Sequence, residues 1–471
     1  MHLYLVGAGP VGLVTAVGMT KLGHHVTVAD IDRRRIENLR AGVSPIYEPG
    51  LAEAIQEEAG SGHLRFTTEL SPPADAACSI VTVSTPVGPG GTLSTANVEA
   101  AVRVIFEVAP PDHVIVIRST LPIEGVDRLV ALRAGRPDGA AIVTNPEFLR
   151  EGSALANFER HDRIVVGWLE RRDIGAAGVA LALYDGISAP TLVADARSVT
   201  MIKLASNVFL AAKIAYANEL ARLCDAVGAD IGTVVDGLGL DARIGRAFLT
   251  AGPGFGGSCL PDQAVALSVA AAVRGVATPL LDAVSRSNDA HQLAIIDLLG
   301  QLIDGGADPA RVNSPRGATL LVGRRIALLG LAFKANTDDV RVSPALALAR
   351  HLRAAGATVV ATDPRAVPRA RIADPELVTV TTVELAVEAS DAVVVVTEWP
   401  EYGELDWRDL ARRMRGDLVY DTRGIVSQER VREAGLRLAS LGRADHPMTS
   451  MSNPASCDRS RSVRSLSPSP A

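Results

Sequence analysis

The sequence predicts an α/β chain: two Rossmann-like, doubly wound domains joined by a central helical domain with one long helix. Three observations carry this reading. Short apolar runs alternate with helical stretches over residues 1–195. Residues 197–228 then keep helical periodicity with no glycine or proline before Gly228. From residue 325 a strand–turn–helix–strand pattern returns.

The elements follow in order. Residues 2–6 (HLYLV) read as a buried strand, GAGPVG as a turn, and the apolar stretch to about Leu22 as a helix. Residues 25–29 (HVTVA) form a second strand that ends at Asp30. Gly7, Gly9 and Gly12 therefore lie between strand and helix, where bare backbone can approach a pyrophosphate and the helix N-terminus favours its charge. Asp30 is placed to accept from ribose hydroxyls, which favours NAD over NADP, although Arg33, Arg34 and Arg35 weigh the other way. Further strands are expected at 78–84, 113–118, 140–144, 163–167 and 190–194, completing a parallel sheet in an NAD-binding domain of residues 1–195.

The helix over 197–228 is long for a globular protein and is expected to span two domains or two subunits. It opens a helical dimerisation domain, 196–304. A loop rich in Gly, Pro and Asn (305–317) leads to the second α/β domain, 318–443. There, strand 325–329, the turn GLAFKANTDD, helix 343–355 and strand 358–362 repeat the opening, with strands at 392–396 and in LVYDTRG to follow. That turn holds only Gly330, so a ligand other than a dinucleotide is expected. Residues 444–471 are rich in Ser, Pro and Arg and are expected to be a disordered tail.

Composition narrows the function. With 48% hydrophobic and 21% charged residues, 471 residues can bury a large core. A net charge of -6 argues against a general nucleic-acid binder. Cys78, Cys224, Cys259 and Cys457 are scattered, so neither a metal site nor a disulfide framework is expected. No secretion leader and no apolar run of membrane-spanning length is read, which makes the cytoplasm the expected location. Basic residues are nearly all arginine; the lysines are Lys21, Lys203, Lys213 and Lys334.

Three groups could carry chemistry. Cys259 follows the glycine-rich loop GPGFGGS, with Pro261 read as the first residue of a helix whose positive end would lower the thiol pKa. It fits a nucleophile, and equally a small buried residue. Lys203 and Asn207 stand four apart on the long helix and share a face. In TNPEFLREG, Asn145 reads as a helix cap with Pro146 in the first turn, which would put Glu147 and Glu151 on one helical face as an acid/base pair.

The segments PIYEPGL, NPEFLREG, KLASNVFLAAKIAYANELA, GPGFGGSC and GLAFKANTDDVRVSPAL closely resemble the UDP-glucose/GDP-mannose dehydrogenase family, from residue 1 to about 440. The resemblance implies oxidation of a nucleotide-sugar C6 alcohol to the carboxylate with two NAD per sugar, in a cytoplasmic homodimer without nucleic-acid or membrane partners. It implies that Cys259 attacks the intermediate aldehyde, that Lys203 and Asn207 assist through an ordered water, and that Glu151 and Thr120 serve thioester hydrolysis. It implies cofactor contacts from Gly7, Gly9, Val11, Gly12, Asp30, Arg35, Thr85, Thr120 and Glu151. Substrate contacts are implied for Glu147, Phe148, Leu149, Lys203, Asn207, Phe255, Gly256, Lys334 and Arg423, with Arg243 reaching in from a neighbouring subunit. UDP-glucose is the sugar nucleotide the motifs favour.

One departure stands beside the cysteine. The family usually carries Pro-Lys-Asp where this chain has Pro261-Asp262-Gln263. Glutamine can hold a water but cannot take its proton. Val342 and Gly424 likewise replace a usual acid and asparagine. Reduced activity, a specialised or partial oxidation, and a catalytically impaired nucleotide-sugar-binding relative all stay open.

Overall fold

The computed structural model describes residues 1–136, 139–303 and 321–443; the expected loop at 305–317 and tail at 444–471 lie outside them. An eight-stranded sheet comes first: β1 (His2–Val6), β2 (His25–Ala29), β3 (Leu64–Thr67), β4 (Cys78–Val81), β5 (Val114–Ile117), β6 (Ala141–Thr144), β7 (Ile164–Trp168) and β8 (Thr191–Asp195). Its order is β3-β2-β1-β4-β5-β6-β7-β8. Strand order reverses between β1 and β4, so a crevice opens at their carboxyl ends, above the first glycine turn. The central strands are apolar because both sheet faces are covered.

The expectation of a wholly parallel sheet needs correction. β7 runs antiparallel to β6, with Thr144 opposite Gly167. The link between them stays at the carboxyl end of the sheet and contains only the short helix Ala154–Glu159. Without a crossover back to the other end, the next strand must return antiparallel.

Helix α1 (Pro10–Lys21) follows β1 and is buried on nearly all sides. A Cβ at Gly18 would meet Phe158 at 2.2 Å, so this glycine sets how closely α1 can pack. Helix α2 (Ala196–Val227) is capped by Asp195, which accepts from the Ser198 amide, and ends at Gly228 in the left-handed region. At 1.5 Å per residue it is about 48 Å long. By length and composition alone α2 is long and apolar enough to cross a membrane, a test that a packed core helix also meets. Here its buried face packs on β7, on α3 (Cys259–Val273) and on α4 (Pro279–Ile303).

The second sheet has order β11-β10-β9-β12-β13-β14, all parallel. Its strands are β9 (Arg325–Leu329), β10 (Thr358–Thr362), β11 (Val378–Thr379), β12 (Ala392–Val395), β13 (Leu418–Asp421) and β14 (Arg437–Ser440), with α5 (Pro344–Ala354) after β9. Ile295 and Leu299 of α4 enter its core and tie the helical middle to it. β3, β11 and β14 were not expected from sequence; all lie at or near sheet edges, and none carries a long apolar run.

Candidate active site

The first glycine turn is built by close approach. Gly7 has φ +110°, and a Cβ at Gly12 would sit 1.9 Å from the Gly7 carbonyl oxygen. A Cβ at Gly9 would meet nothing within 4 Å, so open space lies in front of the turn. At the tip of β2, Asp30 Oδ2 accepts from the Ala8 amide at 2.8 Å and from Arg35 Nη1 at 2.9 Å. A cleft of about 970 Å³ runs from this turn to Cys259. It brings together Gly7, Gly9, Val11, Asp30, Arg35, Thr85, Thr120, Glu147, Glu151 and Cys259.

Residues 145–150 form an irregular loop, not a helix, which corrects the capping expectation for Asn145 and the shared helical face for Glu147 and Glu151. Asn145 is occupied elsewhere: its Nδ2 donates to the Val165 carbonyl at 2.9 Å and its Oδ1 accepts from Arg118 at 3.0 Å. The two glutamates then sit in different fields. Lys203 Nζ donates to Glu147 Oε1 at 2.9 Å and to the Glu147 carbonyl at 2.6 Å, while the Leu149 amide donates to Oε2. Burial pushes the Glu147 carboxyl up, but the Lys203 charge and these bonds outweigh it and hold the group below its usual range. Glu151 goes the other way. Burial, with Asp339 nearby, raises it against the Thr337 hydroxyl that donates to Oε1 at 2.6 Å.

Cys259 is the first residue of α3, with Pro261 two positions inside it. The thiol opens onto the cleft. The helix end does not leave it acidified. Surrounding protein raises the thiol pKa, Glu147 and Glu151 add to this, and Lys203 opposes them. One turn along α3, Gln263 Oε1 accepts from Asn207 Nδ2 at 3.0 Å, and both residues are buried. Lys203 and Asn207 thus share a face of α2 as expected, one bonding Glu147 and the other Gln263. Asp262 also lines the cleft; burial raises its carboxyl against the pull of Arg341, which is itself held by Asp339 at 2.8 Å. Next to Arg341, Val342 adopts φ 46°, a strained conformation for a β-branched residue.

The glycine loop 252–257 is the meeting point of the helices and the second sheet. A Cβ at Gly256 would lie 2.4 Å from the Val342 carbonyl oxygen, and one at Gly252 would lie 3.1 Å from Arg423. Arg423 donates to the Val396 and Phe333 carbonyls at 2.7 and 3.2 Å. Lys334 stands 5.5 Å from the Phe333 ring; burial lowers its pKa against the pull of Glu151, Glu398 and Glu48. Phe255 is buried, Leu149 packs on the first core, and Phe148 lies under Arg163 at 4.0 Å and Lys203 at 5.2 Å. Arg243 is not brought to this region: it is exposed and paired with Asp241.

Three family profiles match the chain in sequence: the NAD-binding domain of the UDP-glucose/GDP-mannose dehydrogenase family over residues 1–187, its central domain over 197–290 and its UDP-binding domain over 327–428. The chain belongs to the UDP-glucose/GDP-mannose dehydrogenase family. A UDP-glucose 6-dehydrogenase of Rhizobium meliloti is 38% identical over 94% of this chain and 100% of its own length. YwqF of Bacillus subtilis, also a UDP-glucose 6-dehydrogenase, is 36% identical over 94% of this chain and 98% of its own. A UDP-glucose dehydrogenase structure from Pyrobaculum islandicum superposes with a TM-score of 0.82 at 36% identity, covering 94% of this chain and 98% of that one.

As a family member the protein is an NAD-dependent nucleotide-sugar dehydrogenase, and its own residues fit that cofactor. The Gly7–Gly12 turn leaves the cradle open, and Asp30 sets a carboxylate at the tip of β2 on the wall of the same cleft. Sequence reasoning missed the side chains that hold the catalytic-side glycine loop. Asn218 Oδ1 accepts from the Gly252 amide at 2.8 Å, His291 Nε2 donates to the Gly252 carbonyl at 2.8 Å, and Asn288 Oδ1 accepts from the Phe255 amide at 2.8 Å. The signal was present: Asn288 and His291 are polar residues three apart on an otherwise apolar face of α4.

Proposed function

We propose that this chain oxidises the C6 alcohol of UDP-glucose to the carboxylate, giving UDP-glucuronate, through a covalent intermediate on Cys259. The observation that carries the reading is that the Cys259 thiol opens onto the same cleft as the Gly7–Gly12 turn. NAD, when bound, accepts the hydride in each of the two oxidations. An aldehyde cannot readily give up hydride until a nucleophile makes its carbon tetrahedral, and Cys259 Sγ supplies that nucleophile as a thiohemiacetal. Loss of the second hydride leaves a thioester at Cys259. Glu151, with its raised pKa, receives a proton from the attacking water, and Thr120 positions that water from the cleft wall. Lys203 and Asn207 direct donors toward oxygen at C6.

Lys334 and Arg423 take the diphosphate side of the substrate, with Phe255 and Gly256 at the glycine loop and Glu147, Phe148 and Leu149 around the sugar. The protein works as a cytoplasmic homodimer. Phe209, Tyr216 and Leu223 stand 67%, 52% and 56% exposed along α2, an apolar stripe that a second copy would cover. Arg243, idle within one chain, would then reach the neighbour's substrate.

Asp262 and Gln263 favour a second reading, in which oxidation stops at the aldehyde or the protein only binds the nucleotide sugar. Counting NADH per UDP-glucose consumed separates the three. Two NADH supports full oxidation and one supports arrest. No NADH, with calorimetric binding retained, overturns the enzymatic proposal.

A further inference from the structure

Glu48, in the segment PIYEPGL between β2 and β3, is a buried carboxylate. Its Oε2 accepts from the Gly152 amide at 2.7 Å and its Oε1 from the Ala154 amide at 2.8 Å. The Gly152 amide belongs to the planar peptide that leaves Glu151, so the first of these bonds fixes the backbone on which the Glu151 side chain stands. A buried carboxylate is costly unless its oxygens are bonded. Here both are bonded to one turn, and holding that turn is what the residue does.

The Glu151 side chain is gripped from the other side. Thr337, buried in the turn after β9, donates from Oγ1 to Glu151 Oε1 at 2.6 Å. The Asp339 amide donates to the same hydroxyl oxygen at 3.1 Å, which leaves the hydroxyl proton to Glu151. Among the described residues no other hydrogen bond reaches the Glu151 carboxylate, so Oε2 is left for a water in the cleft that Glu151 lines.

The two grips are held in register. Ile46 packs on the first core and Tyr47 on the second. Asp338 Oδ1 accepts from the Tyr47 amide at 3.3 Å and its Oδ2 from Arg369 Nε at 2.8 Å, while Arg369 Nη2 donates to the Pro45 carbonyl at 2.8 Å. Gly152 closes the contact: its φ is +81°, and a Cβ there would lie 2.9 Å from the Ala335 carbonyl oxygen.

We propose that Glu48 and Thr337, one from each α/β domain, are positioning residues for Glu151 in hydrolysis of the Cys259 thioester. This rests on the proposed role of Glu151 as the base of that step. The water oxygen bonds the thioester carbon and passes one proton to Glu151 Oε2. The carbon–sulfur bond breaks, and the other proton goes to sulfur, leaving a carboxylate and the Cys259 thiol. Proton removal by Glu151 comes after both hydrides have left, so loss of either grip slows hydrolysis and spares the two oxidations.

Stopped-flow NADH absorbance and intact-protein mass, on the full chain with UDP-glucose and saturating NAD, test this. Glu48→Gln is nearly isosteric but turns an amide NH2 toward one of the two backbone donors, and Thr337→Val removes the hydroxyl. Each should lower steady-state turnover roughly 10–100-fold, the scale of a misplaced reacting group. The first turnover should still give both NADH as a burst, and the thioester should accumulate on Cys259. Glu48→Asp and Thr337→Ser keep the acceptors and the donor and should restore part of the turnover. A merely structural loss would lower burst and turnover together and leave no adduct; that result, or unchanged turnover, overturns the proposal. Glu151→Gln is the reference. A thioester there but not in Glu48→Gln or Thr337→Val overturns the positioning role alone, and no thioester in Glu151→Gln overturns Glu151 as the base and the positioning role with it. Should Glu48→Gln fold poorly, Thr337→Val decides by the same adduct.

Discussion

Asn207 Nδ2 donates to Gln263 Oε1 at 3.0 Å, one helical turn beyond Cys259. Both groups are amides, so the bond is neutral and has no proton to exchange. A carboxylate at position 263 could keep the same donor and also take a proton beside the thiol. Gln263→Asp is therefore expected to raise kcat for NADH formation at least roughly tenfold, a fraction of the roughly 10²–10⁴-fold that a positioned base contributes. Gln263→Leu strands the buried Asn207 donor and should cost about 1–3 kcal/mol of stability. Steady-state rates and denaturant unfolding read the two effects. An unchanged kcat in Gln263→Asp would mean that proton removal does not depend on this position.

The Cys259 thiol opens onto the cleft, and the protein packed around it, then Glu147 and Glu151, raise its pKa, with Lys203 opposing. Its reaction with iodoacetamide should therefore climb with pH to a midpoint above the ~8.5 of a free thiol. Glu147→Gln removes one of the opposing charges and leaves Lys203 to act on the sulfur. The midpoint should fall and alkylation at pH 8 should quicken, even if turnover is lost. Alkylation kinetics on the two proteins check this. A midpoint that rises in the variant would contradict the assigned field.

Much of this architecture was legible in the sequence, because its strands are apolar runs punctuated by glycine, and β1, β2, β9 and β10 fall where periodicity puts them. The site was legible as residue types at fixed spacing: the glycine turn, Lys203 with Asn207, and Cys259 after its loop. What failed depended on tertiary context. Asn145 has the sequence of a helix cap, but Arg118 and the Val165 carbonyl claim its side chain. The helix-end argument for Cys259 neglected the protein and the two carboxylates that fold around its cleft-facing thiol. β7 looked like another parallel strand because a sequence pattern carries no strand direction.

His291 offers a test of how the glycine loop is held. Arg222 Nη1 lies 2.6 Å from its Nδ1, which must therefore accept, leaving the proton on Nε2 to donate to the Gly252 carbonyl. Burial, with Arg222 adding to it, lowers its pKa to about 4, so the ring stays neutral at working pH. His291→Ala should loosen the loop that leads to Cys259 and reduce kcat by about 10–100-fold, since small misplacements of reacting groups are costly. His291→Gln retains a donor and should recover part of that loss. NADH formation by the two variants at matched folded fraction gives the comparison, and equal rates would show that the loop holds itself.

Asp225, near the end of α2, gives a stability prediction with a definite sign. Burial raises its carboxyl to about 6, against a single bond from the Gly442 amide at 3.3 Å. The folded protein thus prefers the protonated form more than the unfolded chain does. That contribution is fully present below about pH 4, where the unfolded chain is also protonated, and is lost as pH rises through about 6. At neutral pH the folded chain carries an ill-solvated charge. Asp225→Asn removes it and keeps an acceptor for Gly442. With allowance for partial solvent screening, the variant should gain about 1–2 kcal/mol at pH 7 and almost nothing at pH 4. Urea unfolding of both proteins at the two pH values measures the difference directly, and a gain of equal size at pH 4 would show that charge is not its source.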